Sequence, residues 1–319
     1  VPGPVIEGLC DDLRNDRRTR GTYIDRAEEI EQELSLPTHC LGVKNLGKRD
    51  TFPFEERTFL SNAIAAYLAE EIDTVRAVLA QHERSVWTGK GESRAQWDLV
   101  RSALELSLAC EDLDRQLPNH SQDLERLLAF YTGSLREVDR LHREFEQAVS
   151  DFEWQDVQNL MGPIKQQARK TYGKLVERMQ LLFTRHLQST GWPLPAYLSN
   201  ADVFDRIVAP KLQHNGHRVA YFMIDALRFE LGVALEKQLA EDGVVELQPA
   251  LAALPSVTPV GMASLLPSAG QQLRLTNVDG SMVPTLGDQP ITTVVHRMEV
   301  FRKRYGQRFA EGRLEDFVR

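Results

Sequence analysis

The spacing of apolar residues changes near residue 190, and this change limits what the chain can fold into. Before that point apolar residues recur every three or four positions, which is the spacing of one face of an α-helix. Residues 219–224 instead form an unbroken apolar run, which is typical of a strand covered on both faces. The chain is therefore expected to combine a helical part with an α/β part.

The first part is expected to fold as a bundle of long helices. Amphipathic stripes run over residues 59–79, 95–117, 121–149 and 152–187. Asn119 or Ser121 is expected to cap the third helix, and Gly162-Pro163 predicts a break or kink near the start of the fourth. Short turns favour hairpins that bury these stripes on one another, so we predict an all-helical domain of long antiparallel helices over residues 1–195.

The second part, residues 196–319, is expected to be an α/β domain with a parallel sheet. A turn-rich linker leads to a short helix at about residues 202–213, and the apolar run 219–224 follows as a strand. Leucines then recur every four residues up to Gly243, and an apolar run ending at Leu254 supplies the next strand. Strand, helix and strand in this order form a βαβ unit.

Composition excludes several classes of protein. With 42% hydrophobic residues among 319, the chain can bury a sizeable core, which excludes a disordered or collagen-like chain. No uncharged apolar stretch approaches the roughly 20 residues of a membrane span. The three cysteines are widely spaced and form no CxxC pair, which favours a reducing, cytoplasmic location. The chain begins with Val and has no apolar leader, so it is expected to be an internal segment of a longer protein.

The net charge of −8 belongs almost entirely to the helical part. Residues 1–200 hold 25 basic and 32 acidic side chains, against 13 and 14 in residues 201–319. This acidity favours protein partners over nucleic acid. One basic stretch is open to two interpretations, a nucleic-acid contact or a solvated helix face; it consists of Lys165, Arg169, Lys170, Lys174, Arg178 and Arg185.

Asp225 is the first candidate for chemistry, because it follows the apolar run directly. A carboxylate in that position is costly unless it lies beyond the sheet edge or pairs with a cation. In open α/β sheets, ligand sites form at the carboxyl ends of the strands, where Asp225 would lie. Two interpretations stay open: a metal ligand, or a cap for the following helix that starts at Ala226.

Thr258 is the second candidate, and it precedes Pro259. Proline suits the first position of a helix, so Thr258 is expected to be the N-cap, at a helix end where backbone N–H groups attract anions. The simpler interpretation is an ordinary helix start. The functional one is a nucleophile that attacks a phosphoryl group. Because Asp225 and Thr258 end consecutive strands, they are expected to lie at the same edge of the sheet.

The segments around these two residues resemble a known domain. YFMIDALRFELG at residues 221–232 and LPSVTPVGMASLLP at residues 254–267 together resemble the PglZ domain of bacterial BREX phage-defence systems, which is similar to the alkaline phosphatase superfamily. The resemblance covers roughly residues 200–300. It implies that the second domain is the start of an alkaline-phosphatase-like α/β domain.

The resemblance also implies roles for individual residues. Asp225 would be a metal ligand and Thr258 a metal-bound nucleophile, with Arg228 and Ser256 in supporting roles. The expected chemistry is two-metal hydrolysis of a phosphomonoester or phosphodiester, with two zinc ions and with nucleic acid as a candidate substrate. The expected partners are other BREX proteins, which would dock on the helical half.

The sequence departs from the superfamily in its remaining metal ligands. Those ligands are Asp and His residues of later strands, and the candidates after Thr258 are Asp279, Asp288, His296 and Asp316, which show no such clustering. The metal site is therefore expected to be incomplete, and this chain by itself inactive. Two functions remain open: a metal-dependent phosphatase, phosphodiesterase or nuclease in the full-length protein, or a non-catalytic scaffold.

Overall fold

A computed structural model describes residues 3–40, 50–83, 85–152, 159–213, 218–278 and 280–313. Contacts within the chain divide it into two compact units, Val1–Leu182 and Phe183–Arg319. The first unit is helical, and the second combines helices with a small parallel sheet and an antiparallel sheet. The predicted fold class, a helical part followed by an α/β part, is confirmed.

The described residues up to position 190 form helices joined by short turns. These are α1 (Gly3–Asn15), α2 (Arg20–Glu33), α3 (Leu36–His39), α4 (Pro53–Leu68), α5 (Ile72–His82), α6 (Gly91–His120), α7 (Leu124–Phe130), α8 (Arg136–Ser150) and α9 (Met161–Thr190). A 3₁₀ turn at Trp87–Gly89 precedes α6, and a π-helical turn at Tyr131–Leu135 joins α7 to α8. The long helix α6 packs against both α4 and α8, so the apolar stripes bury one another.

The helix boundaries differ from the predictions at two places. The stripe at residues 59–79 belongs to two helices, because the chain turns between α4 and α5 with Glu70 at a φ of 61°. The cap of α7 is Asp123, whose carboxylate accepts a 2.8 Å hydrogen bond from the backbone N–H of Arg126. Asn119 cannot cap α7, because α6 continues through it to His120.

The Gly162-Pro163 pair lies in the first turn of α9 and marks the start of that helix. Proline is tolerated there because the first N–H groups of a helix have no intrahelical partner. Residues 153–158, which the fourth predicted stripe includes, lie outside the described residues. No helix in the described parts of the chain is long and apolar enough to cross a membrane.

The basic stretch on α9 is partly neutralised within the first unit. The guanidinium of Arg169 makes two 2.7 Å contacts with the carboxylate of Glu146, and Arg178 pairs with Asp114. The ammonium of Lys165 lies 4.9 Å from the ring centre of Phe152. These contacts favour the solvated helix face over the nucleic-acid contact.

Cys110 is expected to be the least reactive of the three thiols. Cys110 is 1% exposed. Burial, together with the negative charge of nearby Glu111, raises the pKa of the thiol to about 12. Because the thiolate is the reactive form, alkylation at pH 8 should be roughly a thousandfold slower at Cys110 than at an unperturbed thiol. Pulsed iodoacetamide labelling of the native chain with peptide mass spectrometry measures this. Labelling of Cys110 as fast as that of Cys10, which is half-buried, would contradict the packing of α6.

The second unit contains a strand within the stretch that was predicted to be a turn-rich linker. Its elements are β1 (Leu198–Ser199), α10 (Asn200–Val203), α11 (Ala209–Leu212), α12 (Phe229–Leu239), β2 (Ala250–Leu251), α13 (Thr258–Ser264), α14 (Ala269–Gln272), β3 (Leu273–Val278), β4 (Ser281–Leu286), β5 (Gln289–Pro290) and α15 (Val294–Tyr305). A π-helical turn at Phe204–Val208 connects α10 to α11, which confirms the helix predicted near residues 202–213.

Two small sheets organise this unit. Strand β1 pairs in parallel with β2, with Leu198 opposite Ala250, and the connection between them contains α12. Strands β3, β4 and β5 form an antiparallel sheet that the sequence analysis did not predict. Gly280, at a φ of +80°, lies in the β3–β4 turn, and its N–H donates to the side-chain oxygen of Asn277.

The strand predicted at residues 219–224 is not part of a sheet in the described chain. The segment is extended, and its residues alternate between partly buried and exposed. Val219, Tyr221 and Met223 pack on the core, whereas Phe222 and Ile224 are 63% and 50% exposed. The expectation of a strand covered on both faces was wrong for this chain, because only one face is covered and no described strand pairs with it.

The core of the second unit is built around Phe204, which is 2% exposed. Its ring meets those of Tyr221 and Phe301 edge-on, with ring centres 5.6 and 5.4 Å apart. The hydroxyl of Tyr221 donates a 3.1 Å hydrogen bond to the carbonyl of Leu265, and burial raises the pKa of Tyr221 to about 12. These contacts hold the extended segment against α13 and α15, and they determine where Asp225 lies.

Candidate functional site

Asp225 and Thr258 lie in direct contact. The hydroxyl of Thr258 donates a 3.0 Å hydrogen bond to Oδ2 of Asp225, across a sequence separation of 33 residues. Both side chains are exposed to solvent. Both were expected at one sheet edge; the two side chains do meet, although neither residue directly follows a hydrogen-bonded strand among the described residues. The contact gives an accessible hydroxyl next to a carboxylate.

Asp225 does not cap the following helix. The helix α12 begins at Phe229, with Arg228 as its N-cap, four residues beyond Asp225. Instead, Oδ1 of Asp225 accepts a 3.0 Å hydrogen bond from the N–H of Ala226, which has a φ of 54°. One carboxylate oxygen is thus used to hold the turn and the other to hold Thr258. Of the two interpretations left open by the sequence, the cap is excluded.

Thr258 is the first residue of α13 and not its N-cap. Val257 is the N-cap, and Pro259 occupies the second helical position. The Thr258 hydroxyl therefore makes no capping bond and is directed to Asp225. The preceding segment makes a turn in which the N–H of Val257 donates to the carbonyl of Pro255, at 2.8 Å. This turn and the buried Val260 and Ala263 of α13 fix the position of Thr258.

The two residues predicted to support the site take different positions. The guanidinium of Arg228 lies 3.5 Å from a carboxylate oxygen of Glu230, whose side chain is 1% exposed. Arg228 therefore balances a buried acidic group near the start of α12. Ser256 is exposed and lies two residues before Thr258. Their supporting roles stay predictions.

The other predicted metal ligands do not gather around Asp225. Asp288 lies exposed in the turn between β4 and β5, and His296 lies in the first turn of α15, where its Nδ1 is 3.3 Å from the hydroxyl of Thr292. Asp279 and Asp316 lie outside the described residues. Among the described His, Cys, Asp and Glu residues, no group of three includes Asp225.

The donor set at Asp225 fits part of a metal site. A carboxylate oxygen and a hydroxyl oxygen 3.0 Å apart are ligand types that divalent cations accept, at a separation that one ion can bridge. A catalytic zinc site takes three protein ligands, however, and the described residues supply two here. Asp225 and Thr258 can hold an ion only together with further ligands.

A different group of side chains has the composition of a metal site. Asp50, Glu56 and His82, all buried, bring one ligand atom each to within 4.8 Å of one another in the first unit. This group was not predicted from the sequence. Its members are 6 and 26 residues apart, which matches no ligand-spacing motif, and only the packing of α4 and α5 brings them together. All three lie outside the apolar stripe predicted over residues 59–79, so no sequence pattern indicated them.

Comparisons with known proteins agree with the resemblance read from the two segments. Residues 203–305 match the family model of the BREX system PglZ alkaline phosphatase-like domain. Over 270 residues the chain is 26% identical to the alkaline phosphatase-like protein BrxZ of Escherichia coli strain HS, an alignment that covers 80% of this chain and 31% of that protein. The chain thus spans about a third of the length of this relative. No solved structure matches the chain.

Proposed function

We propose that this chain, as a PglZ-like component of a BREX phage-defence system, carries the nucleophile of a phosphoryl-transfer site. Thr258 is the nucleophile, and Asp225 positions it. The observation that carries the proposal is the 3.0 Å hydrogen bond from the Thr258 hydroxyl to Asp225 on an accessible surface. Both residues lie within the segment that matches the PglZ domain. The substrate class is a phosphate ester, with nucleic acid as the candidate suited to phage defence.

The chemistry begins with the orientation of the nucleophile. The Thr258 hydroxyl points its hydrogen at Oδ2 of Asp225, which leaves an oxygen lone pair free to face an incoming phosphorus atom. As Oγ1 forms a bond to phosphorus and the leaving oxygen departs, the hydroxyl proton passes to the carboxylate. Asp225 keeps its place during this step, because its other oxygen is held by the N–H of Ala226. Water then cleaves the phosphothreonine ester and regenerates the hydroxyl.

A divalent cation held by Asp225 and Thr258 would lower the pKa of the hydroxyl and offset charge on the transferred phosphoryl group. The family resemblance suggests zinc. The described residues supply two ligands, so the complete reaction requires donors beyond this pair. For this reason activity is best tested both in the 319-residue chain and in the longest form of the protein made from its native gene.

Replacement of Asp225 by Asn tests the positioning role. The amide keeps the size of the side chain but is a poor acceptor for the hydroxyl proton, so we expect kcat for hydrolysis of a phosphodiester to fall by roughly 10²-fold or more. Asp288→Asn is the matched control, since Asp288 is an exposed aspartate in a turn of the same unit. Equal activity in Asp225→Asn and the unmodified protein would refute the proposed role.

A second function is supported by the acidic helical part. The unit Val1–Leu182 exposes large apolar side chains on α1, among them Val5, Ile6 and Leu9 at 50–57% exposure. Together with the excess of acidic residues, this surface suits docking of another BREX protein, and the location would be cytoplasmic. Co-purification of residues 1–182 with the other proteins of the same BREX locus tests docking. Absence of any bound subunit would count against it.

A further inference from the structure

The first unit contains a buried cluster of charged and polar side chains that phosphoryl transfer does not use. Asp50, Glu56 and His82 are 5%, 5% and 3% exposed. They lie on separate elements: Asp50 before α4, Glu56 on α4 and His82 at the end of α5. Burial of two carboxylates is unfavourable unless their charge is balanced. Among the described residues, the guanidinium of Arg14 pairs with Asp50, which balances one of the two.

His82 is the unexplained member of the cluster. Neither of its ring nitrogens has a hydrogen-bond partner among the described residues, although the residue is 97% buried. Buried polar atoms without a partner are uncommon in proteins, since each loses its hydration without replacement. The Nδ1 atom lies 3.0 Å from Oε2 of Glu56, but its direction does not make a hydrogen bond. An ion bound to both atoms would give the buried nitrogen a partner.

The surroundings fix the direction of each ligand atom. The ring of His82 lies between Phe59 and Trp97, with ring centres 4.4 and 5.2 Å away and nearly parallel to the indole. Oε1 of Glu56 accepts hydrogen bonds from Nε1 of Trp97 and from the hydroxyl of Ser93. Oε2 of Glu56, the oxygen that faces His82, lies 3.5 Å from the hydroxyl of Ser85, which donates a hydrogen bond to Oδ2 of Asp50. Outer hydrogen bonds of this kind orient the ligands in protein metal sites.

We propose that Asp50, Glu56 and His82 bind one divalent transition-metal ion, because two buried carboxylate oxygens converge on an unpartnered imidazole nitrogen. The three ligand atoms lie within 4.8 Å of one another. Two ligands about 2.1 Å from one ion in tetrahedral geometry lie about 3.4 Å apart, so a pair at the upper limit of 4.8 Å would close by about 1.4 Å on binding. An imidazole with carboxylates suits zinc or manganese better than calcium or magnesium. The two carboxylates and the guanidinium of Arg14 together carry a net charge of −1, which favours binding of a cation.

A cavity in the same unit borders one member of the cluster. An open cavity of about 230 Å³ has His82 and Trp97 in its wall. Its other lining residues are Leu79, Glu83, Thr88, Arg94, Asp98 and Arg101. Among the three proposed ligands, His82 lines this cavity. The proposed role is structural, because the ion would tie the segment before α4 to α4 and α5.

The test uses a chain in which Asp225→Ala removes the other candidate metal ligand, so that any bound metal is assigned to the cluster. The 319-residue chain with Asp225→Ala is equilibrated with zinc, passed over a desalting column and analysed for bound metal by mass spectrometry. We expect one zinc per chain. Addition of His82→Phe keeps an aromatic ring between Phe59 and Trp97 but removes both nitrogens, and we expect zinc binding to weaken by at least 100-fold. His120→Phe is the matched control, since His120 also stacks on an aromatic ring, 4.3 Å from that of Phe130.

Two further readouts do not depend on enzymatic activity. Cobalt in place of zinc should give visible absorption bands in the Asp225→Ala chain, and His82→Phe should abolish them. Saturating zinc should raise the Tm of the Asp225→Ala chain by roughly 5 °C and leave the His82→Phe chain unchanged. If His82→Phe fails to fold, Glu56→Gln removes one ligand with retention of shape. No zinc in the Asp225→Ala chain, or equal zinc in these cluster variants, would overturn the proposal.

Discussion

Replacement of Thr258 by Ala is expected to lower kcat/KM for phosphoester hydrolysis by roughly 10³-fold or more. The substitution removes the only atom of the residue that can bond to phosphorus, and loss of a covalent nucleophile is among the largest single effects in enzymes. The fold should tolerate it, because Thr258 is exposed and its hydroxyl contacts Asp225 and not a backbone group. Steady-state kinetics with a phosphomonoester and a phosphodiester, in the longest natural form of the protein, measure the effect.

Two variants give this prediction its controls. Thr258→Ser keeps a hydroxyl and should retain a measurable part of the activity, which a purely structural role of Thr258 would not require. Thr276→Ala removes an exposed threonine hydroxyl of β3, whose bond goes to the carbonyl of Val283, and should leave activity unchanged. Activity that survives in Thr258→Ala would exclude Thr258 as the nucleophile. Absence of hydrolysis in every form of the protein would favour the scaffold.

Replacement of Phe204 by Ala is expected to destabilise the second unit by about 3–5 kcal/mol. The ring is 2% exposed and contacts Tyr221 and Phe301 edge-on, so the substitution loses buried apolar area and leaves a cavity. Phe222→Ala is the matched control. Phe222 is 63% exposed and lies on the opposite face of the same segment from Tyr221 and Met223, so its loss should change stability by less than about 1 kcal/mol.

Thermal and urea unfolding, monitored by near-ultraviolet circular dichroism, distinguish the two phenylalanine variants. A loss of about 3 kcal/mol corresponds to a fall in Tm of roughly 10 °C for a unit of this size. Equal destabilisation by Phe204→Ala and Phe222→Ala would contradict the alternation of covered and exposed residues along 219–224. It would indicate that both faces of the segment are packed, as the sequence by itself suggested.

The helices of the first part could be predicted because the spacing of apolar residues within one segment identifies both the helix and its buried face. A 3–4 spacing needs no knowledge of the partner helix, so both ends of α6 and the end of α9 could be predicted within four residues, whereas α9 begins nine residues later than its stripe predicted. Helix ends were harder to predict. Asn119, Ser121 and Asp123 are all good capping residues, and only the continuation of α6 to His120 leaves Asp123 as the cap of α7.

A strand forms only when it pairs with another strand that is distant in sequence, so the strands were predicted less well than the helices. The run 219–224 has the composition of a central strand, but pairing requires a neighbouring strand, and the described chain provides none. Leu198–Ser199 pairs with Ala250–Leu251 although it lies in a turn-rich stretch. The antiparallel sheet of β3–β5 carries polar residues on its exposed face and gave no strong apolar pattern.

The proximity of Asp225 and Thr258 could be predicted from the order of the segments around them. Asp225 and Thr258 follow consecutive apolar segments, and this order was enough to place them together. The cluster of Asp50, Glu56 and His82 had no such order. Its members become neighbours only when α4 packs on α5, so their proximity depends on tertiary structure and could not be predicted from the sequence.

Detection of phosphorylated Thr258 tests the central claim most directly. The longest natural form of the protein is mixed with a phosphate ester, quenched in acid within milliseconds to seconds, digested and analysed by mass spectrometry. We predict a phosphate group on the peptide that contains Thr258, at a level that falls in Asp225→Asn and disappears in Thr258→Ala. Turnover of the ester without phosphate on Thr258, or with phosphate on another residue, would contradict the account.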